Sequence, residues 1–203
     1  MILIIGSNSK IIKLIGAFCN ADLVSHSNIP LNGNYRSAYI FSYSSDKEEN
    51  KNLLDKVNNL DIANTVYISS ITAGIHERYH FKYPAIKRYC EILAAERGFN
   101  IVRIGLIIET MKHVPKYGTF AITEINEIVN MINNNESSCK DPEIKFFGGK
   151  ITKLFEKIYL KVLIFLGPFS FLIRPLDLIL KIIGHSWYGY NSIAVHMMKE
   201  KNK

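Results

Sequence analysis

The chain has 203 residues, of which 48% are hydrophobic and 21% charged. This composition is typical of a packed globular protein and excludes a largely disordered chain. Three cysteines, Cys19, Cys90 and Cys139, are too few and too widely spaced for a disulfide framework or a metal cluster. We therefore expect no metal site. The sequence begins directly with a strand pattern, so we also expect no signal peptide and a cytoplasmic location.

The net charge of +7 is confined to the end of the chain. Residues 1–144 contain 15 Lys and Arg and 15 Asp and Glu, whereas residues 145–203 contain 10 basic and 3 acidic residues. The same 59 residues are also the most apolar part of the sequence. No nucleic-acid-binding motif is present, so this asymmetry favours an anionic membrane surface over nucleic acid as the partner.

Apolar periodicity predicts alternating strands and helices over the first 135 residues. In chain order the pattern predicts a strand at 2–5, a helix that includes 11–18, strands at 21–25 and 37–42, a helix at 46–60, a strand at 65–70, a helix at 83–97, a strand at 100–107 and a helix at 122–133 capped by Thr123. This alternation predicts an α/β fold with a doubly wound parallel sheet covered on both faces.

In such a fold, ligands bind beyond the carboxyl ends of the strands. Small and polar residues follow the predicted strands, as a phosphate-bearing cofactor requires. The candidate cofactor-binding residues are Gly6, Ser7, Asn8, Ser9, Ser25, His26, Ser42, Ser44 and Gly105. Surface loops are also rich in Ser and Asn without any ligand, so this observation does not decide the matter.

Tyr83 and Lys87 stand four residues apart at the start of a predicted helix, and Ser70 ends the preceding strand. An ammonium near a phenol is expected to lower the phenol pKa, which would suit proton exchange with a carbonyl or alcohol. By composition, about one Tyr-x-x-x-Lys pair is expected by chance. Two occur, and we interpret Tyr43/Lys47 as the chance pair because it straddles a strand–helix turn.

Here the chain resembles the short-chain dehydrogenase/reductase family, over about residues 1–135. The stretch 66–70 is similar to its strand that ends in a catalytic serine, Tyr83-Pro-Ala-Ile-Lys87 to its Tyr-x-x-x-Lys motif, and 101–105 to the following strand. The helix predicted at 123–133 resembles one in the extended, sugar-nucleotide branch. The resemblance implies a Rossmann-like fold and three catalytic residues: Tyr83 as general acid/base, Lys87 holding the nicotinamide ribose, and Ser70 orienting the substrate.

The sequence departs from that family at the cofactor side. The family's glycines three and six positions after Gly6 are replaced by Ser9, whose hydroxyl could cap the helix, and by Ile12. No carboxylate ends the second strand, which slightly favours NADP over NAD. About ten residues separate that strand from Ser37, so a strand and helices are expected to be missing. The family's catalytic asparagine has no clean match; Asp46 falls closest.

We divide the chain into a catalytic domain, 1–149, and a basic, apolar, helical region, 150–203. Helices are predicted at 151–166 and 169–183, and the longest apolar run, 162–173, is too short to cross a bilayer. Residues 150–190 are expected to lie on an anionic membrane surface, although the same faces could bury against a second subunit in a homodimer or against the catalytic domain. Aromatic residues at 187–190 suit a membrane interface or a substrate lid.

Three functional hypotheses follow. The first is a membrane-associated NAD(P)-dependent oxidoreductase or epimerase that reduces a keto group of a nucleotide- or lipid-linked sugar in surface polysaccharide synthesis. The second is a non-catalytic binding protein that keeps the fold with a degenerate cofactor site. The third is a reductase of an apolar lipid, in which the C-terminal region forms the substrate pocket.

Overall fold

The structure is a computed structural model that describes residues 1–6, 9–30, 33–77, 81–108, 117–166 and 189–201. Its main sheet has five parallel strands in the order β2-β1-β3-β4-β5. These strands are β1 (Ile2–Ile5), β2 (Asp22–Val24), β3 (Ser37–Ile40), β4 (Asn64–Ser70) and β5 (Asn100–Ile104). The central strands β1 and β3 are buried along their length, and apart from Ser37 all their residues are hydrophobic, as expected for strands covered on both faces.

Four helices cover the two faces of this sheet: α1 (Lys10–Phe18), α2 (Lys47–Asn58), α3 (Lys82–Glu96) and α4 (Ile125–Asn133). One core contains Ile12 of α1 and Ile128 of α4 with Ile4 of β1. The other contains Leu54 of α2 and Ile86 of α3. The predicted doubly wound α/β architecture is therefore confirmed.

The β2 side of the sheet is short, as predicted. Strand β3 pairs directly with β1, on the side opposite β2. The connection between β2 and β3 spans residues 25–36, and its described residues contain neither a helix nor a strand. On this side of β1 the sheet therefore contains one further strand, the short edge strand β2.

The predicted strand at 100–107 is broken at Gly105. Strand β5 ends at Ile104, and β6 (Leu106–Ile108) joins a second, three-stranded sheet with β7 (Gly118–Glu124) and β8 (Glu143–Phe147). A side chain at Gly105 would overlap the carbonyl of Ala121 in β7, so this close approach requires glycine. The sequence reading missed β7 and β8.

The helix predicted to begin at residue 122 begins instead at Ile125, and Ile122 to Glu124 belong to β7. Thr123 does not cap α4. Its hydroxyl accepts a hydrogen bond from the backbone N–H of Gly105 at 2.9 Å, and its side chain is fully buried. Thr123 therefore ties the second sheet to the end of β5.

Two C-terminal helices are described, α5 (Lys150–Leu166) and α6 (Gly189–Lys201). The predicted helix at 151–166 is confirmed, and the one at 169–183 lies outside the described residues. Leu160 of α5 and Ile193 of α6 pack with Ile71 and Ala121, so part of the C-terminal region shares a core with β7. Within the described ranges, no helix combines the length and the hydropathy that a membrane crossing requires.

Candidate functional site

The predicted serine and tyrosine meet where β4 ends. Ser70 is the last residue of β4, and Tyr83 lies in the first turn of α3. The side chains of Ser70 and Thr72 lie near the phenol of Tyr83 and act to lower its pKa. Thr72 also donates to Ser70 Oγ, from Oγ1 at 3.0 Å and from its backbone N–H at 3.3 Å. The short 3-10 helix that follows β4, Ile71–Gly74, thus brings a second hydroxyl to the tyrosine.

A cavity of about 380 Å³ opens beside this tyrosine. Its lining combines the ends of β4 and β5 with one residue from the loop after β3 and two residues from α6. The lining residues are Tyr43, Ser70, Thr72, Tyr83, Gly105, Leu106, Tyr190 and Asn191. The volume is in the range of small-ligand sites, and a mostly apolar wall with a few convergent hydroxyls is typical of such sites.

The pKa of Tyr83 is raised to about 12, which corrects the expectation that Lys87 lowers it. Burial of the phenol has the largest effect and neighbouring Tyr43 adds to it, whereas the nearby polar side chains of Ser70 and Thr72 lower the pKa. Tyr83 is therefore a neutral hydroxyl at physiological pH. In this protonation state it can donate a proton.

Lys87 lies on the same helix but its ammonium is directed elsewhere. The Nζ atom is 4.5 Å from the ring centroid of Tyr43 and 5.3 Å from that of Tyr67, and it donates to the Tyr67 hydroxyl at 3.5 Å. The side chain is buried, and burial lowers the pKa of Lys87 to about 8. Aromatic faces, which attract cations, thus hold this lysine and explain why it does not tune Tyr83.

Two tyrosine rings pack against the ring of Tyr83. The rings of Tyr43 and Tyr83 meet edge to face, with centroids 5.2 Å apart and an interplanar angle of 67°. The rings of Tyr83 and Tyr190 are nearly parallel, at 6.3 Å and 23°. Tyr43, interpreted from the sequence as half of a chance pair, therefore belongs to the site. Its sequence neighbour Lys47 instead lies over Tyr89.

No protein-family model matches the sequence, and no curated protein matches it. Solved structures do match the fold. The capsular polysaccharide assembling protein CapF from Staphylococcus aureus matches with a TM-score of 0.55 and 13% identity, over 72% of this chain and 54% of that one. A short-chain dehydrogenase/reductase superfamily protein from Agrobacterium tumefaciens with bound NAD matches with a TM-score of 0.51 and 11% identity, over 70% and 79%.

The chain therefore shares its Rossmann-like α/β fold with these two structures. It spans about half the length of the CapF chain that it matches. UDP-N-acetylglucosamine 4-epimerase from Bacillus cereus also matches, with a TM-score of 0.49 and 12% identity, over 70% of this chain and 79% of that one.

The turn after β1 is where the resemblance to the short-chain dehydrogenase/reductase family expects the dinucleotide. Gly6 has φ +148°, and a Cβ there would lie 3.2 Å from Phe41 Cβ, so the turn needs glycine. Ser9 occupies the N-cap of α1 but makes no side-chain capping hydrogen bond, contrary to our expectation. Ile12 is buried in the core beneath this turn. Ser7 and Asn8 lie outside the described residues.

The other predicted cofactor residues lie at the ends of β2 and β3. His26 Nδ1 and Ser42 Oγ are 3.2 Å apart and join the two strand ends, and Ser25 Oγ is 3.1 Å from Ser27 Oγ. Ser44 is engaged differently: its hydroxyl bonds the Glu49 carboxylate and accepts from the backbone N–H of Asp46 at 3.1 Å. The local geometry thus favours Ser25, His26 and Ser42 over Ser44.

Asn50 explains why Tyr43 stands where it does. This asparagine is buried, and its side chain bonds the backbone N–H of Ser44 at 2.7 Å and the carbonyls of Ser44 and Asp46 at 2.8 and 2.6 Å. These hydrogen bonds hold the backbone of the loop after β3 in place. Asn50 lies near the position where the family resemblance expects a catalytic asparagine. It supports the loop backbone and is not among the described residues that line the cavity.

Sequence reasoning missed Tyr43, Thr72 and Asn191 as cavity residues. Thr72 could have been predicted from the sequence, because it follows the strand-ending Ser70 by two residues and so lies at the same carboxyl edge of the sheet. Asn191 carried none, because its place depends on how α6 packs. Its side chain pairs with the backbone of Ala121, accepting from N–H at 2.8 Å and donating to C=O at 3.0 Å.

Proposed function

We propose that this protein is an NAD(P)-dependent oxidoreductase that reduces a keto group of a nucleotide- or lipid-linked sugar at the cytoplasmic face of a membrane. The observation that carries the proposal is the placement of Tyr83, Ser70 and Thr72 together in the lining of one cavity. In this proposal Ser70 and Tyr83 are the residues that contact the reacting oxygen.

Reduction of a carbonyl needs a proton donor, and the phenol of Tyr83 carries its proton at neutral pH. Because its pKa is raised to about 12, it is a weaker acid than an exposed tyrosine, so in the proposal its pKa falls when Lys87 leaves the Tyr43 ring. Ser70, which lines the same cavity, would orient the same oxygen. A bound nicotinamide would supply the hydride.

The residues present fit a nicotinamide dinucleotide at the carboxyl edge of the sheet. The glycine turn at Gly6 leads directly into the amino end of α1, where backbone N–H groups favour a phosphate. Ser25, His26 and Ser42 provide polar groups at the adjacent strand ends, and Gly105 lines the cavity beside Tyr83. No acidic residue follows β2 before β3, which supports NADP over NAD.

Lys87 would hold the nicotinamide ribose only after Tyr43 moves. The Tyr43 ring covers the ammonium, and 43% of the Tyr43 residue is exposed to solvent, so the ring has room to turn outward. We therefore include in the proposal that cofactor binding displaces Tyr43 and transfers the Lys87 ammonium from the aromatic ring to ribose hydroxyls. Asn50 holds the loop backbone, so this movement is confined to the side chain.

The proposed substrate class rests on two supports. CapF, which shares the fold at a TM-score of 0.55, is described as a capsular polysaccharide assembling protein. The cavity beside Tyr83 combines aromatic walls with hydroxyl groups, which suits a sugar ring.

Helix α5 supports the proposed membrane association. Six exposed apolar residues follow one another at spacings of one to four along this helix, so that they share one face. They are Ile151, Leu154, Phe155, Ile158, Val162 and Phe165, with exposed fractions of 39–76%. An apolar face of this size on a surface helix indicates an interaction surface.

The charges of α5 indicate which surface that is. Lys150, Lys153, Lys157 and Lys161 are exposed and recur along one flank of the apolar face. The acidic residue of α5, Glu156, is turned towards β7, where its carboxylate accepts from the hydroxyl of Thr119 at 2.9 Å and from its backbone N–H. An apolar face flanked by lysines is typical of a helix that lies in the interface of an anionic membrane.

The experiment that tests the proposal is a titration of the purified protein with NADPH and NADH, followed by nicotinamide fluorescence. The proposal expects saturable binding, tighter for NADPH. A Gly6→Val variant serves as the matched control, because a side chain at this turn would contact Phe41 and prevent the close approach of a phosphate. Equal, non-saturable signals for both proteins would contradict the proposal.

The second candidate is a non-catalytic binding protein with the same fold. The specific observation in its favour is the Tyr43 ring over Lys87, together with the single glycine of the β1 turn. In this alternative Tyr43 covers Lys87 permanently, and neither nicotinamide cofactor binds. The same titration therefore separates the two functions.

A further inference from the structure

Helix α5 shares an apolar core with the two chain segments that carry Ser70 and Tyr83. Its Leu160 is buried in one cluster with Ile71 and Phe81. Ile71 directly follows Ser70, and Phe81 is the N-cap residue of α3, two positions before Tyr83. The inner face of α5 therefore belongs to the same core as the residues of the proposed reaction.

Hydrogen bonds to β7 connect α5 to the lining of the cavity. The Glu156 carboxylate of α5 accepts from the hydroxyl of Thr119 at 2.9 Å and from its backbone N–H. Two residues further along β7, Ala121 is bonded through both of its backbone groups to Asn191, which lines the cavity. Strand β7 thus links α5 on one side to the cavity on the other.

The exposed apolar face of α5 lies directly opposite this buried contact. At 3.6 residues per turn, its six residues from Ile151 to Phe165 lie about 120–220° around the helix from Leu160. A helix with its side chains is about 10–12 Å across. A membrane surface at the exposed face would therefore lie roughly one helix diameter from the core that Ser70 and Tyr83 adjoin.

This closeness to the membrane favours one kind of sugar carrier. A protein attached to a membrane meets a ligand anchored in the same membrane at a raised effective concentration, so that the two attachments reinforce each other. A nucleotide-linked sugar is dissolved in water and gains nothing from the attachment of α5. A sugar on a lipid diphosphate is held at the membrane surface, beside the cavity.

We propose that the ligand of this cavity is a sugar linked through a diphosphate to a polyprenyl lipid, which the protein binds from the membrane surface that α5 contacts. This inference rests on the proposed function for the membrane attachment and for a sugar as the reacting group. It selects the lipid carrier over the nucleotide carrier.

The test compares two forms of glucose by isothermal titration calorimetry with the full chain. One is UDP-glucose, and the other is glucose on a polyprenyl diphosphate in phosphatidylcholine vesicles, which offer no other anionic headgroup. We expect the lipid-linked glucose to bind at least about 100-fold more tightly, because the protein is then held at two points. Equal or tighter binding of UDP-glucose, or no binding of either compound, would overturn the inference.

Variants of the apolar face test the role of α5. The double change Phe155→Ser/Phe165→Ser should reduce the preference for lipid-linked glucose to less than about tenfold, because two buried rings are lost from the membrane contact. The double change Phe18→Ser/Ile92→Ser removes two exposed apolar side chains elsewhere and should keep the preference. Equal losses in the two double variants, or no loss in the α5 variant, would overturn the inference.

A variant of Leu106 tells binding in the cavity from binding of the diphosphate by the lysines of α5. Leu106 lines the cavity, and the larger side chain of Leu106→Trp would occupy part of it. We expect about tenfold weaker binding of the lipid-linked glucose and unchanged binding of vesicles that carry the bare polyprenyl diphosphate. If Leu106→Trp melts early, Leu106→Phe takes its place. Equal effects on the two kinds of vesicle, or none, would overturn the cavity as the binding site.

The outcomes separate this inference from the proposed function. Binding of NADPH together with a preference for UDP-glucose overturns the inference and leaves the proposed reduction intact. A preference for lipid-linked glucose that depends on α5, without binding of NADPH, supports the inference and contradicts the oxidoreductase.

Discussion

The ammonium of Lys87 lies 4.5 Å from the centre of the Tyr43 ring, and this contact separates the lysine from the cavity that Tyr83 faces. The lysine of the Tyr-x-x-x-Lys motif is thus buried under a residue from another strand end. In the proposed enzyme this contact opposes cofactor binding, because the Tyr43 ring must move away before Lys87 can reach the ribose of the cofactor.

Removal of the Tyr43 ring should therefore strengthen cofactor binding. A cation–aromatic contact and an edge-to-face ring pair each contribute about 1 kcal/mol, so Tyr43→Ala should lower the dissociation constant of NADPH by about tenfold or more. Tyr43→Phe keeps both contacts and should bind as the wild type does. Nicotinamide fluorescence measures both variants, and unchanged or weaker binding by a folded Tyr43→Ala protein would contradict the account.

The buried Lys87 should make stability depend on pH in a defined window. Burial lowers its pKa to about 8 in the folded protein, against 10.5 for an exposed lysine. Between these values the unfolded chain binds more protons, so stability from this group rises with pH by about 1.4 kcal/mol per unit. Lys87→Met should be more stable than the wild type at pH 7 and lose that advantage between pH 8 and 10.5.

Chemical denaturation at several pH values measures this difference between the two proteins. Lys82→Met, an exposed lysine five residues earlier on the same helix, controls for the loss of one positive charge. A difference between wild type and Lys87→Met that stays constant from pH 7 to 10 would contradict the burial of a titrating lysine.

The lysines of α5 should determine its affinity for anionic membranes. Each lysine near such a surface contributes about 1 kcal/mol, so the triple change of Lys153, Lys157 and Lys161 to Gln should weaken binding to phosphatidylglycerol vesicles roughly 100-fold. The same change at the exposed Lys13, Lys51 and Lys56 alters net charge equally and should have a much smaller effect. Vesicle flotation measures both, and equal losses would contradict a specific role of α5.

The ion pair between Arg103 and Glu91 should contribute to stability. Arg103 donates from Nε and Nη2 to the two carboxylate oxygens at 2.8 and 2.6 Å, and the Glu91 side chain is 8% exposed. Arg103→Ala leaves a buried carboxylate without a partner and should lower the free energy of unfolding by about 2 kcal/mol. The double variant Arg103→Ala/Glu91→Leu should regain most of the lost free energy of unfolding, because it also removes the buried charge. Urea denaturation measures both variants, and a double variant no more stable than Arg103→Ala would contradict the prediction.

Much of the fold could be predicted because its signals are local. The apolar runs of β1, β3 and β4 and the helical spacing of α2 and α3 follow from burial on one or both faces. The second sheet could not be predicted in this way. Its register depends on contact between Gly105 and Ala121, sixteen residues apart, and Thr123 bonds Gly105 there instead of capping a helix.

The site was predictable to the same degree. Ser70 and Tyr83 follow from strand end and helix start, and the structure brings them together. The electrostatic partner of Lys87 was not predictable, because helical spacing places two residues on one face but does not say what else approaches them. Tyr43 and Tyr190 arrive from other elements, and only the packing of the loop after β3 and of α6 brings their rings to Tyr83.

Transfer of deuterium from a labelled cofactor tests the central claim most directly, namely that Tyr83 protonates a carbonyl reduced in this cavity. With deuterium at the transferable position of NADPH and a 4-keto sugar nucleotide as substrate, the wild type should place deuterium on the sugar carbon. Tyr83→Phe should bind the cofactor equally and transfer the label 100-fold or more slowly. Transfer by Tyr83→Phe at the wild-type rate, or none by a wild type that binds both ligands, would contradict the claim.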